Sequence, residues 1–321
     1  MNEMNCQHNI SRSFLKYLQK NSKIIESSFK VVFSIRGDKL MIDEESTGSK
    51  ALSEYINEIA MLEKAKGFFN DNDYLIAQKL AENGLSKNIS KDILEKVSIK
   101  VNGKTVFPKS INQKEYIKSI ENNDLIFSLG PAGTGKTFLA IAMGLEFLLN
   151  KKVERIVLTR PVVEAGENLG FLPGDIQQKV NPYFRPLYDS LYYLIGMERT
   201  AELIERGIIE LAPLAYMRGR TINNAFIILD EGQNTLNSQM KMFLTRIGQN
   251  SKVIITADES QIDLPEPKKS GIFTAVRILS KIKGIKIQRM TKEDVIRHIL
   301  VRRIIVAYDT LEKANKKRHI K

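Results

Sequence analysis

The octapeptide GPAGTGKT at residues 130–137 carries the strongest chemical signal in the sequence. Its glycines, lysine and threonine stand at the spacing of a phosphate-binding loop. Such a loop folds backbone N–H groups around the β-phosphate of a nucleotide, while Lys136 reaches the β- and γ-phosphates and the Thr137 hydroxyl binds Mg²⁺. We therefore predict that the phosphates of a nucleotide are held by the loop and the residue after it: Gly130, Pro131, Ala132, Gly133, Thr134, Gly135, Lys136, Thr137 and Phe138.

Two carboxylates follow the apolar run AFIIL, and an amide follows the apolar run KVIIT. Asp230 at the end of the first run is expected to join Thr137 in holding Mg²⁺. Glu231 is placed to orient and polarise a water molecule for attack on the γ-phosphorus, which is a hydrolytic arrangement. Gln261, beyond the second run, is expected to hydrogen-bond the γ-phosphate and that water. Lys136, Glu231 and Gln261 are thus predicted catalytic residues.

These side chains need a scaffold, and the pattern from residue 111 onward predicts one. Short apolar runs alternate with helical patterns, which is typical of a parallel sheet covered by helices on both faces. The phosphate loop leaves one run and opens the helix KTFLAIAMGLEFLL, whose N-terminus favours anions. The predicted strands are LIFSL (125–129), RIVLT (155–159), IIEL (208–211), AFIILD (225–230) and KVIIT (252–256).

The chain upstream of this sheet divides into shorter regions. The stretch FKVVFSIRGDKLMID predicts two strands joined at Gly37, and SIKVNGKTVF predicts a hairpin that turns at Asn102-Gly103. We therefore predict an α/β fold in which a P-loop domain follows a small α/β module. The predicted segments are a polar leader (1–28), the module (29–95), a hairpin linker (96–110), the P-loop domain (111–312) and a basic tail (313–321).

Composition narrows the class of protein. The chain has 321 residues with 43% hydrophobic content, no apolar run of membrane-spanning length and a single cysteine, Cys6. The N-terminus lacks the features of a secretory signal, so we expect a cytoplasmic protein without membrane association. A formal charge of +12 favours a polyanionic partner, and nucleic acid is the expected one.

Four segments together resemble the PhoH family of ATPases over residues 111–312: GPAGTGKTFLAIA, LTRPVVEAGENLGFLPGD, YMRGRTINNAFIILDEGQN and ITADESQIDLP. The resemblance implies a RecA-like fold akin to the motor domains of superfamily-one helicases, with ATP hydrolysis and a role in RNA metabolism. It assigns Asp230 and Glu231 to the Walker B element. It makes Gln261 the residue that couples the γ-phosphate to the nucleic-acid surface. It also places Gln113 where related motors read adenine, which an amide can do because it both donates and accepts.

The same resemblance carries further expectations and some departures. It implies a partnership with a small metal-dependent endoribonuclease of ribosome maturation, and a KH-like fold for the N-terminal module. That module offers RGDKL (residues 36–40) without the second glycine of a GXXG loop, so RNA contact and assembly both stay open as its use. The chain has Ala257 and Ile299 where the family usually has Gly and Pro.

Developing charge on the γ-phosphoryl group favours a guanidinium, often from a neighbouring subunit. Candidates are Arg160, Arg218, Arg220 and Arg297, of which Arg220 and Arg297 are placed in the predicted catalytic set. Motors of superfamily one use two RecA-like domains, whereas this chain has room for one. We therefore expect a homo-oligomer, with a hexameric ring as one arrangement.

Two other classes of function are open to such a sequence. A nucleotide-switched module would bind RNA or protein with little turnover. A P-loop kinase would transfer phosphate to a small acceptor, and would need an acceptor pocket rather than a water-polarising glutamate. The leading prediction is a Mg²⁺-dependent ATPase that couples hydrolysis to RNA binding or remodelling.

Overall fold

In the computed structural model, the described residues are 10–37, 39–43, 45–66, 69, 71–82, 97–161 and 176–295. The chain forms two compact units. The first comprises the residues up to 98 together with 107–111, and the second comprises 99–106 and the residues from 112 onward. Within the described ranges, no helix has the length and apolar character needed to cross a membrane.

The described residues of the first unit form four helices and one β-hairpin. The hairpin confirms the two strands predicted around Gly37, whose φ of 60° suits the turn. Its strands are antiparallel and place Phe33 opposite Ile42. The elements in chain order are α1 (Arg12–Lys20), α2 (Ser22–Phe29), β1 (Phe33–Arg36), β2 (Lys39–Ile42), α3 (Ser49–Lys66) and α4 (Asp71–Glu82).

The first two helices differ from the polar leader expected for residues 1–28. In α1, Phe14, Tyr17 and Leu18 fall on one helical face and are buried. In α2, Ile25 is buried as well, and all of these side chains belong to the same core cluster as Tyr55 of α3. The Ser11 hydroxyl caps α1 by accepting from the Phe14 N–H. Residues 10–28 are therefore part of the folded module.

The second unit is built on a parallel sheet of six strands, ordered β10-β5-β9-β8-β6-β7. The expected α/β, RecA-like architecture fits this sheet. Five strands confirm the predicted runs, while the edge strand β10 was not predicted. The strands are β5 (Leu125–Leu129), β6 (Arg155–Arg160), β7 (Ile209–Pro213), β8 (Ala225–Leu229), β9 (Lys252–Ala257) and β10 (Ile285–Arg289).

Helices cover both faces of this sheet. One face packs under α9 and α10, where Met240 and Phe243 join a core with Ile227 and Ile255. On the other face lies α6, whose Phe147 ring meets Phe226 of β8 edge to face. The helices are α5 (Ile111–Asn122), α6 (Lys136–Leu149), α7 (Ile176–Ile195), α8 (Met197–Glu205), α9 (Asn237–Leu244) and α10 (Gly271–Leu279).

A second hairpin, β3 (Ile99–Val101) and β4 (Lys104–Val106), belongs to the second unit. It turns at Asn102 and Gly103, whose φ values of 46° and 77° confirm the predicted tight turn. The sequence suggested that this hairpin is a linker. In the structure it packs within the second unit, because Ile99 and Val101 are buried and the Lys100 N–H donates to Glu146 of α6.

Candidate active site

A cavity of about 280 Å³ lies at the carboxyl ends of β5, β6, β8 and β9. Ligands of open α/β sheets bind at this edge, because the loops that follow parallel strands converge there. The wall brings together most of the predicted site. Its residues are Ala132, Gly133, Gly135, Lys136, Thr137, Phe138, Arg160, Pro186, Ser190, Asp230, Glu231, Thr256, Ala257, Asp258 and Gln261.

The phosphate loop between β5 and α6 needs its glycines. Gly130 has a φ of 146°, and a Cβ there would lie 2.5 Å from the Met290 carbonyl oxygen. Gly133 and Gly135 have φ values of 82° and 81°, in the left-handed region. Three predicted members of the loop, Gly130, Pro131 and Thr134, do not line the cavity. They shape the loop from within, as when the Thr134 hydroxyl donates to the Pro131 carbonyl at 2.9 Å.

Lys136 is turned onto the loop itself. Its Nζ donates to the Gly130 and Pro131 carbonyl oxygens at 2.6 and 2.9 Å, and the residue is only 8% exposed. Burial lowers the pKa of this amine, while the carboxylates of Asp258, Glu231 and Asp230 oppose the shift. The amine therefore lies beside the space that phosphates would occupy, and an anion can replace its two carbonyl partners.

The side chains of Thr137 and Asp230 are in contact, and their sharing of a Mg²⁺ ion stays a prediction. The Thr137 hydroxyl donates to Asp230 Oδ1 at 2.7 Å, and the Thr256 hydroxyl donates to the same oxygen at 2.7 Å. Adjacent ligands in a Mg²⁺ octahedron lie about 3.0 Å apart, so these two side chains fit one coordination shell. Among the described residues, no group of three His, Cys, Asp or Glu side chains is placed to hold a metal ion. Two protein ligands suit Mg²⁺, which keeps waters and phosphate oxygens for its remaining positions.

Glu231 follows Asp230 with a φ of 55°, a left-handed conformation that directs the chain away from the strand. Burial raises the pKa of its carboxyl group above the ordinary value, and the neighbouring Asp230 charge adds to this. Gln233, Arg160 and Lys136 act in the opposite direction. A carboxylate whose proton affinity is raised is better suited to draw a proton from water.

Arg160, at the end of β6, is the candidate arginine that the structure brings to the site. Its Nη2 lies 3.3 Å from Glu231 Oε1, and its Nε lies 3.9 Å from Asp230 Oδ2. Its Nη1 donates to the Tyr183 carbonyl oxygen at 2.6 Å, which anchors the guanidinium to α7. The positive charge therefore stands between the two carboxylates of the site.

Gln233 is a site residue that the sequence reasoning missed. It is fully buried, and its Nε2 donates both to Glu231 Oε2 and to the Gln261 carbonyl oxygen, the latter at 3.0 Å. Its Oε1 accepts from the Asp258 N–H at 3.0 Å. One amide thus connects the acidic pair to the loop after β9. Its place two residues beyond Glu231 was the available signal.

Asp258 is the second missed residue. Its Oδ2 accepts from the Ala132 N–H of the phosphate loop at 2.8 Å, and its Oδ1 accepts from the N–H and hydroxyl of Ser260. The preceding Ala257 ends β9, and its carbonyl oxygen accepts from the Gly130 N–H at 3.1 Å. The loop after β9 therefore holds the phosphate loop in place. Ala257 contributes its carbonyl oxygen to this contact although the family usually has Gly at this position.

The predicted amides and Phe138 take different positions. Gln261 lines the cavity, and its hydrogen bond to the γ-phosphate stays a prediction. Gln113 is buried in α5 and donates from Nε2 to the Thr134 carbonyl oxygen at 2.9 Å, so it supports the phosphate loop from behind. Its reading of adenine stays a prediction. Phe138 lines the cavity, and its ring meets Tyr193 edge to face with centroids 5.7 Å apart.

Of the two arginines in the predicted catalytic set, the structure describes Arg220, which does not line the cavity. Arg220 forms a bidentate pair with Glu210 of β7 at 2.5 and 2.7 Å, which lowers the pKa of that glutamate. Arg297 and Ile299 lie outside the described residues, as does the predicted basic tail. Service by either arginine to a neighbouring subunit stays a prediction.

Proteins of one family from several bacteria are similar to this chain. A family model described as PhoH-like protein matches residues 105–309. A PhoH-like protein of Bacillus subtilis is 44% identical over 287 residues, which cover 89% of this chain and 90% of that protein. A PhoH-like protein of Mycobacterium bovis is 56% identical over 211 residues, covering 66% and 60%. Protein PhoH of Escherichia coli is 48% identical over 198 residues, covering 61% and 56%.

Among solved structures, the chain is similar to a Sulfolobus solfataricus SWI2/SNF2 ATPase core in complex with dsDNA. The match has a TM-score of 0.32 and 13% sequence identity, and it covers 56% of this chain and 44% of the other. This likeness is too distant to add to the description of the fold.

Proposed function

Because the chain belongs to the PhoH-like protein family, we propose that it is a cytoplasmic Mg²⁺-dependent ATP hydrolase that couples hydrolysis to the binding or remodelling of RNA. One observation carries the hydrolytic part of this proposal. Glu231 stands beside the Thr137–Asp230 pair and lines the same cavity as Lys136. A triphosphate seated on the loop would therefore face both a cation and a carboxylate.

The residues divide the chemistry among them. Backbone N–H groups of the loop bind phosphate oxygens, and Lys136 exchanges its carbonyl partners for the β- and γ-phosphates. Thr137 and Asp230 would hold Mg²⁺, which neutralises charge on the phosphates when bound. Glu231 orients the attacking water and accepts its proton, while Arg160 and Gln261, which line the same cavity, would respond to the γ-phosphate.

This arrangement supports hydrolysis over the two alternatives. A kinase would need a pocket that holds its acceptor beside the γ-phosphate, whereas the residue next to Asp230 is Glu231, which lines the cavity and can polarise a water molecule. A purely switching module has no need for a carboxylate with a raised pKa at this position. RNA as the partner is supported by the formal charge of +12 and by the family resemblance.

The test is phosphate release from ATP by the full chain, with and without Mg²⁺ and with and without single-stranded RNA, across several salt concentrations. We expect turnover only with Mg²⁺, and a stimulation by RNA that fades as salt rises. Glu231→Gln should bind ATP but lower turnover by about 10²- to 10⁴-fold. Glu202→Gln is the matched control, because Glu202 is an exposed residue of α8 paired with Arg199 and Arg206.

Two results would contradict the proposal in different ways. Turnover in Glu231→Gln equal to that of Glu202→Gln would remove the hydrolytic role of this carboxylate. Robust turnover that is indifferent to RNA at every salt concentration would leave an ATPase without the proposed coupling.

A further inference from the structure

A second cavity, of about 270 Å³, lies on the surface of the P-loop unit away from the candidate active site. One wall is the 3₁₀ turn Leu214–Met217, which follows β7, and the other is the first part of α9. Pockets for drug-sized ligands span about 300–1,000 Å³, so this one suits a smaller unit. Its lining residues are Leu214, Ala215, Arg218, Ser238, Gln239 and Met242.

The cationic side chain in this wall is Arg218. Within the described part of the chain, its guanidinium makes neither an ion pair nor a hydrogen bond. The two neighbouring arginines differ: Arg220 is held by Glu210, and Arg246 donates to the carbonyl oxygens of Met242 and Arg220. A guanidinium left exposed beside a concave surface is available for an anion, and a phosphate is the anion it fits best.

The aromatic side chain of the turn is Tyr216, which is 54% exposed. It stands between two lining residues in the chain, while the next residue, Met217, is fully buried. The buried Met217 and Leu214 anchor the turn in the core, so exposure of the ring follows from the fold. An anchored aromatic ring offers a face for stacking at little cost in conformational entropy.

The chemistry of this surface selects its occupant. The exposed ring of the turn, an uncommitted guanidinium, three apolar lining side chains and the polar groups of Ser238 and Gln239 are the set that binds one unit of a single-stranded nucleic acid. The ring stacks on the base and the guanidinium binds the adjoining phosphate. The formal charge of +12 favours such a polyanion, whereas a protein partner would call for a larger apolar patch.

We propose that Tyr216 and Arg218, with the cavity beside them, form a nucleotide subsite for single-stranded RNA. The inference rests on the proposed function in that RNA is the partner. It does not require ATP hydrolysis, because neither residue lines the candidate active site.

The subsite lies a short way along the chain from the acidic pair. Residues 232–236 connect Glu231 to α9, which supplies Ser238 and Gln239. Gln233 and Asn234 pin this segment, the latter through hydrogen bonds with Asp263 at 2.8 and 3.1 Å. The effect of RNA binding at the subsite would therefore be transmitted to the carboxylates of Asp230 and Glu231 through a stiff connection.

The test measures binding of a fluorescein-labelled 12-nucleotide oligouridylate to the full chain by fluorescence anisotropy, over a range of salt concentrations. Tyr216→Ala should weaken binding by about 5- to 100-fold, which is the range for loss of one stacked base. Arg218→Ala should weaken binding and lower the slope of log K against log salt by about 1. Phe273→Ala and Arg277→Ala are matched controls, because both are exposed residues of α10 outside the cavity.

A second arm measures RNA-free ATP hydrolysis, which Tyr216→Ala should leave unchanged. Wild-type protein that does not bind the oligouridylate, or binding by both variants equal to that of the controls, would overturn the subsite. Loss of RNA-free hydrolysis in Arg218→Ala with unchanged RNA affinity would also overturn it and place this arginine in the active site of a neighbouring copy. RNA binding that depends on both residues in a protein without turnover would support the subsite and refute the proposed hydrolysis.

Discussion

Replacement of Gln233 by Met tests whether this buried amide sets the state of Glu231. Methionine keeps the length of the side chain but removes the hydrogen bonds to Glu231, Gln261 and Asp258. At about 1 kcal/mol net for each of three bonds, the variant should lose about 3 kcal/mol of stability. Folded domains are stable by roughly 5–15 kcal/mol, so the variant should still fold.

The catalytic effect has a definite sign. The Gln233 amide lowers the pKa of Glu231, so its removal should raise that pKa further above the ordinary value. A larger fraction of Glu231 is then protonated at acidic pH, and the acid limb of the pH profile of kcat/KM moves to higher pH. Because the carboxylate is also less well oriented, kcat should fall by roughly 10- to 100-fold even on the plateau.

The assay is phosphate release as a function of pH, with thermal unfolding measured in parallel. Gln78→Met is the matched control, because Gln78 is a buried glutamine of the first unit that donates to the carboxylate of Glu82 and accepts from Tyr17. The control should lower stability and leave the acid limb in place. An acid limb that stays at its wild-type pH in Gln233→Met would refute the reasoning.

Two further predictions concern the loop after β9 and the pair on β7. Asp258→Ala removes the charged acceptor of the Ala132 N–H, so the dissociation constant for ATP, measured by equilibrium binding, should rise by about 10-fold or more. Arg220→Ala should lower stability by about 1 kcal/mol at neutral pH, measured by urea unfolding. Since the pair lowers the pKa of Glu210 below its ordinary 4.5, the difference from wild type should be present above pH 4.5 and shrink as the pH falls below it.

The parts of the site that sequence could predict are those set by local geometry. The phosphate loop needs positive φ at Gly133 and Gly135, and a short run of residues encodes that requirement. The acidic pair follows a strand that is buried throughout, so its place at the edge of the sheet follows from the pattern alone. Gln233 and Asp258 were not predicted because their hydrogen bonds join separate loops. Asp258, for example, accepts a hydrogen bond from a residue 126 positions earlier in the chain.

The fold shows the same division. Strand β10 was not predicted because it lies at the edge of the sheet and its sequence IKIQR alternates apolar and polar residues before a terminal arginine, rather than forming an apolar run. The pattern of residues 1–28 predicts a polar leader because α1 (RSFLKYLQK) and α2 (SKIIESSF) are short and about half polar. Their apolar faces become significant only when α3 and α4 supply the other side of the core. The pairing of β10 and the burial of α1 and α2 both depend on tertiary packing, which local secondary-structure propensity does not report.

The order of the strands has a consequence for the nascent chain during its synthesis. Strand β5 pairs only with β9 and β10, so both of its neighbours are synthesised more than 120 residues after it. Until Arg289 has emerged from the ribosome, one side of β5 stays an open edge, and Gly130 lacks the Met290 carbonyl against which it rests. A product ending between residues 262 and 284 would carry each predicted nucleotide-binding and catalytic residue except Arg297, yet should aggregate through that bare edge rather than turn over ATP.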